Sequence, residues 1–98
     1  MTKEQIIHLL QSQSSVLKAR GVDHLYIFGS VARGDSGPQS DVDLFMDVVP
    51  DKGFSLFDLM DIQDYLSDIL QVKTDMMTRN SLHPVLKESI VASAEQIF

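Results

Sequence analysis

Two aspartates separated by one residue, Asp41-Val42-Asp43, open an alternating acidic and apolar run. On a strand, residues i and i+2 point to the same side. The two carboxylates then stand as neighbours, while Val42 and Leu44 point the other way, into a core. Anions held side by side repel and lose solvation, which is costly unless a cation neutralises them. Oxygen donors in a chain with no cysteine suit a hard cation such as Mg²⁺ or Mn²⁺. The same spacing fits the solvated outer face of an edge strand, and taken alone the pair favours that plainer reading.

Gly29-Ser30 is the second feature. It follows the apolar run His24-Leu25-Tyr26-Ile27-Phe28 and precedes Val31-Ala32-Arg33, which can form a brief helical turn. A strand ending in Gly-Ser before a helical turn can aim backbone N–H groups at an anion. Glycine lets a phosphate approach the backbone, and the serine hydroxyl adds a donor. An ordinary turn has the same residues. Arg33 could pair with a phosphate or with one of the many acidic groups. The combination is more specific than its parts: Gly29-Ser30, ten residues, then Asp41-Val42-Asp43, with strand context on both sides.

Phe28-Gly29-Ser30-Val31-Ala32-Arg33-Gly34-Asp35 followed by Ser40-Asp41-Val42-Asp43-Leu44 resembles the signature of the DNA polymerase beta-like nucleotidyltransferases. More narrowly it resembles the minimal nucleotidyltransferase (MNT) proteins of bacteria and archaea, over nearly the whole chain. The resemblance implies a third carboxylate on a neighbouring strand, and Asp75 in Val72-Lys73-Thr74-Asp75-Met76-Met77 is the residue offered for it. The alternation there does not decide which face is buried. By the resemblance, Asp41, Asp43 and Asp75 hold two Mg²⁺ ions (Mn²⁺ being possible) and are catalytic. Gly29 and Ser30 bind the β/γ phosphates of the nucleotide, with Arg33 helping to offset charge. The reaction implied is attack of a hydroxyl on the α-phosphorus, with pyrophosphate leaving. Relatives of this kind pair with a helical HEPN RNase toxin and adenylylate a tyrosine on it, using ATP. Three other readings stay open: transfer to a small-molecule hydroxyl with a separate substrate-binding subunit, neutralisation of a toxin by binding alone, and a nucleotide-binding regulatory module.

The elements that must position these residues follow from periodicity. Thr2 to about Arg20 predicts one amphipathic helix, opened by a Thr2-x-x-Gln5 capping box and closed at Gly21. Its stripe is Ile6, Leu9, Leu10 and Leu17, with Val16 less regular. His24–Phe28 and Asp41–Val49 read as strands, with a turn-rich loop between them. Ser55-Leu56-Phe57-Asp58 caps a helix running to about Leu70, with Leu59, Ile62, Leu66 and Ile69 inward. Val72–Met77 is a third strand, and Asn80–Pro84 a turn. Val85 to about Ala94 is a last helix with Leu86, Ile90 and Val91 inward, before a terminal strand or frayed end at 96–98. The expected fold is α+β: one domain over residues 1–98, a small mixed sheet with helices packed largely on one face.

The totals exclude other classes. The chain has 98 residues, 44% hydrophobic and 22% charged, ordinary for a globular domain. Eight Lys and Arg at a net charge of −6 give no basic face, so nucleic-acid binding is not expected. No apolar run approaches the ~20 residues of a membrane span. The start of the chain does not resemble a signal peptide. With no cysteine, a cytoplasmic protein is expected. His8, His24 and His83 share no site by position, and the five Met residues read as core filler. Asp47, Asp61, Asp64 and Asp68 are placed on solvated or partly solvated faces, and Asp35 is given no chemistry. A domain this small leaves little surface for a second lobe, so the acceptor must bind in an open cleft or arrive on another protein.

Overall fold

The computed structural model describes residues 2–34, 41–51 and 53–98, so Asp35 and the rest of the motif loop to Ser40 lie outside it. Helix α1 spans Lys3–Ser12 and α2 spans Ser14–Ala19. The single helix expected over residues 2–20 is therefore two, divided at Gln13. The capping box is formed: Gln5 N donates to Thr2 Oγ1 at 3.1 Å, and Thr2 N donates to Gln5 Oε1 at 2.8 Å. At the break, Tyr65 Oη donates to Gln13 Oε1 at 2.5 Å, a partner 52 residues away. Ile6, Leu10 and Leu17 are buried as the stripe requires, whereas Val16 is exposed.

Gly21 closes α2 at a φ of +102°, a backbone region that suits glycine. Strand β1 then runs Val22–Phe28 and leads directly into the short helix α3, Gly29–Arg33. Strand β2 is Val42–Val48, helix α4 Leu56–Leu70 and strand β3 Thr74–Thr78, followed by a single 3₁₀ turn at Arg79–Ser81. Helix α5, Lys87–Ser93, and the two-residue strand β4, Glu95–Gln96, complete the order.

The sheet order is β3-β2-β1-β4. β1 pairs antiparallel with β2 and β4, and β2 pairs parallel with β3, which makes the sheet mixed. Alternation sends Leu25, Ile27, Val42, Leu44, Met46 and Met76 to one face. There they form a single cluster with Ile6 and Leu10 of α1, Leu17 of α2, and Ile62, Leu66 and Leu70 of α4. This is the expected sheet with helices on one face. Helix α5 departs from expectation: it starts two residues later, buries no side chain fully, and leaves Leu86 exposed, with Ile90 and Val91 only half-buried. It contacts β1, and none of its side chains joins the main core cluster.

Helix α4 is the longest element and carries β3 back beside β2. Its start is fixed by Ser55 and Asp58: Asp58 N donates to Ser55 Oγ at 3.3 Å, and Ser55 N donates to Asp58 Oδ2 at 2.8 Å. Ser55→Ala is expected to cost about 1 kcal/mol. At roughly 4–8 °C per kcal/mol for a domain of this size, scanning calorimetry should show a clear drop in Tm. Among the described residues, no helix is long and apolar enough to cross a membrane.

Candidate active site

The face of the sheet opposite the helices carries the acidic residues. Val42 and Leu44 are fully buried in the core, which turns Asp43 outward between them. Asp41 lies just ahead of β2, one alternation earlier on the same side. β3 then decides what its sequence left open: Thr74 and Met76 are buried, so Asp75 faces out with Asp43. The parallel register sets Asp43 directly against Asp75. Neighbouring strands lie about 4.8 Å apart, so these two carboxyl groups are adjacent. On its other side Asp43 is registered with Phe28, the last residue of β1.

Gly29 follows Phe28 and sits against Asp43. Its φ is +77°, in the left-handed region. A Cβ built there would overlap Asp43 Oδ2 and lie 3.3 Å from Asp43 Cγ. Only a residue without a side chain lets the chain turn into α3 this close to the carboxylate. The structure thus brings the two halves of the motif, ten residues apart, into contact. Ser30 is the second residue of α3, and Arg33 is its last.

The electrostatics agree with this packing. Burial raises the Asp43 carboxyl above the ordinary carboxylate range, and the charges of Asp75 and Asp41 raise it further. The cations of Arg33 and Lys73 oppose the rise. Arg33 therefore acts on Asp43 electrostatically. Lys73, which sequence reasoning passed over, stands with Nζ 3.8 Å from Asp41 Oδ2. Its place one residue ahead of β3 is the signal that could have found it.

Three carboxylates, the central one disfavoured in its charged form, match in donor type and charge what a hard divalent cation prefers. Among the described residues no three acidic or imidazole side chains are drawn into one closed cage. Clefts of about 240 and 460 Å³ open elsewhere, beside Arg20 and Asp61 and beside Glu4 and His8, and include none of these residues.

Asp47 is not simply solvated. It is half-buried and held by Arg79, whose Nε donates at 2.7 Å, and this bond is the main cause that lowers its carboxyl below the ordinary range. The histidines stay apart. His24 lies 3.7 Å from Asp23, and His83 Nδ1 accepts from Val85 N at 3.2 Å.

A four-stranded mixed sheet with helices on one face and this strand–turn–helix ahead of an acidic strand is the fold of the minimal nucleotidyltransferases. The chain belongs to the nucleotidyltransferase domain family, whose model matches residues 10–96. It is 37% identical over 91 residues to the candidate protein adenylyltransferase MJ0126 of Methanocaldococcus jannaschii, covering 91% of each chain. It is 29% identical over 94 residues to the protein adenylyltransferase MntA of Thermococcus cleftensis, covering 93% of this chain and 91% of that one. A solved structure of a candidate minimal nucleotidyltransferase superposes with a TM-score of 0.82 at 28% identity, covering 97% of this chain and 95% of its own. The MNT antitoxin bound to a tri-AMPylated HEPN toxin from Shewanella oneidensis shares the fold, with a TM-score of 0.69 at 15% identity, over 99% of this chain and 72% of its own.

Proposed function

We propose that this chain transfers AMP from ATP to a tyrosine hydroxyl of a HEPN-domain RNase partner, and so acts as that toxin's antitoxin. The observation that carries the reading is the register that sets Asp43 beside Asp75 while Gly29 packs against Asp43. Relatives named as protein adenylyltransferases, and an AMPylated toxin bound to a protein of this fold, support the choice of nucleotide and acceptor.

In this reading Asp41, Asp43 and Asp75 hold Mg²⁺, or Mn²⁺, in one or two positions. When bound, the ion neutralises triphosphate charge and acidifies the acceptor hydroxyl. Gly29 and Ser30 hold the β/γ phosphates, and Arg33 offsets part of their charge. The tyrosine oxygen attacks the α-phosphorus as the bond to the β-phosphate oxygen breaks. Pyrophosphate leaves, and Asp75 accepts the tyrosine proton directly or through water. Most of the rate comes from positioning and charge stabilisation, because the reacting groups bring their own chemistry. A net charge of −6 with eight Lys and Arg suits a protein acceptor better than a nucleic acid.

The test incubates the purified chain with ATP, a divalent metal and the product of the neighbouring gene, and reads the partner by mass spectrometry. AMP on a partner tyrosine is the expected result, lost on chelation and in the variant carrying both Asp41→Asn and Asp43→Asn. An unmodified partner in a stable complex would leave neutralisation by binding alone.

A further inference from the structure

Beyond the acidic positions, β2 and the 3₁₀ turn that follows β3 hold a second pair of charges, of opposite sign. The register that sets Asp43 against Asp75 continues through Phe45 with Met77 and Met46 with Thr78. One step further, Arg79 meets Asp47. Arg79 Nε donates to Asp47 Oδ1 at 2.7 Å, and Nη2 donates to Oδ2 at 3.1 Å. Such a two-pronged fork fixes orientation as well as distance. The guanidinium also lies 5.0 Å from the ring centre of Tyr26 and 5.2 Å from that of Phe45. Those rings stack on each other at 4.6 Å. Phe45 is fully buried, although it faces away from the main core cluster.

The β2–β3 ladder has only five registered positions. Like charges directly opposite each other destabilise a strand pair, and Asp43 with Asp75 is such a pair. A slip of one residue would turn Asp75 into the core, and the apolar alternation forbids it. A slip of two residues keeps every side chain on its face, so alternation does not exclude it. That slip would break the Asp47–Arg79 fork and pull the guanidinium off its aromatic floor.

We infer that Asp47 and Arg79 form a register lock: the pair holds β3 against β2 so that Asp75 stays beside Asp43. The role rests on the transferase reading of those two carboxylates. Arg79 is a positioning residue, since the cations that act on Asp43 are Arg33 and Lys73.

The test compares the wild-type chain with Arg79→Ala and Arg79→Lys. Amide hydrogen exchange is followed over Thr74–Thr78 and over Val22–Phe28, together with Mn²⁺ binding and kcat and KM for AMP transfer. Arg79→Ala should expose the β3 amides while β1 stays protected. Mn²⁺ binding should weaken roughly 10- to 100-fold, the usual loss when a group orienting metal ligands is removed. The fall in transfer should appear in kcat rather than in KM for ATP. Arg79→Lys, which keeps the charge but not the fork, should recover part of each loss. Unchanged β3 exchange and Mn²⁺ binding in Arg79→Ala would overturn the lock, and so would equal loss of protection in β1, which marks a general stabiliser. If the wild type transfers nothing, the transferase reading fails, and β3 exchange still decides whether the pair sets the register. Should Arg79→Ala not fold, Arg79→Lys alone is read by the same criteria.

Discussion

Asp43→Asn is expected to lower AMP transfer by about a thousandfold or more while making the metal-free protein more stable. The first effect follows from charge. Under the proposed metal-bound reading, losing the central carboxylate removes stabilisation worth several kcal/mol, at tenfold per ~1.4 kcal/mol. The second follows from the direction of its titration. Burial, Asp75 and Asp41 hold the Asp43 carboxyl above its ordinary range. A carboxyl whose pKa rises on folding stabilises the fold fully only below its unfolded pKa, and that stability is lost as pH rises through the folded value. Ionising Asp43 in the fold is therefore costly, and a neutral amide relieves that cost. In chelator the variant should melt a few degrees above the wild type. Added Mg²⁺ should raise the wild-type Tm and leave the variant nearly unmoved. A variant that melts below the wild type in chelator would show that the charge is not unfavourable in the fold.

Gly29→Ala should damage both fold and chemistry. A left-handed φ costs an L-residue roughly 1–2 kcal/mol, and the new Cβ must also displace Asp43 Oδ2. Misplacing a reacting group by about 1 Å can cost on the order of 10²-fold in rate. Gly53 separates the two causes. Its φ is +66°, and among the described residues nothing lies within 4 Å of a Cβ built there. Gly53→Ala should lose only the stability that the left-handed φ costs in urea melts and keep kcat/KM, whereas Gly29→Ala should lose more stability and kcat/KM as well. Equal kcat/KM in the two variants would mean that contact with Asp43 does not matter.

The parts of this site legible in the sequence are those set by local rules. Period-two alternation places Asp41 and Asp43 together. Glycine before a short helical turn marks the tight approach at residue 29. The capping boxes at Thr2 and Ser55 fix two helix starts. What was not legible depends on partners far away in the chain. The stripe Ile6, Leu10, Leu17 fits an unbroken helix, and the break at Gln13 is met by Tyr65 from α4. The outward face of Asp75 is set by its register with β2, 32 residues back. Arg79 and Asp47 are as widely separated: Asp47 alone reads as a solvated or partly solvated charge, and nothing local singles out Arg79. Leu86 has the right spacing for a core position, but spacing cannot tell that it stays exposed and that α5 stands outside the main core cluster.

The central claim is that the Asp43–Asp75 face moves the α-phosphate of ATP onto a protein hydroxyl. Parallel reactions with α-labelled and γ-labelled ATP, Mg²⁺, this chain and its partner test it most directly. AMP transfer predicts label on the partner from α-labelled ATP only, with the γ-label released in pyrophosphate. Label from the γ-phosphate, or none from either, would contradict it.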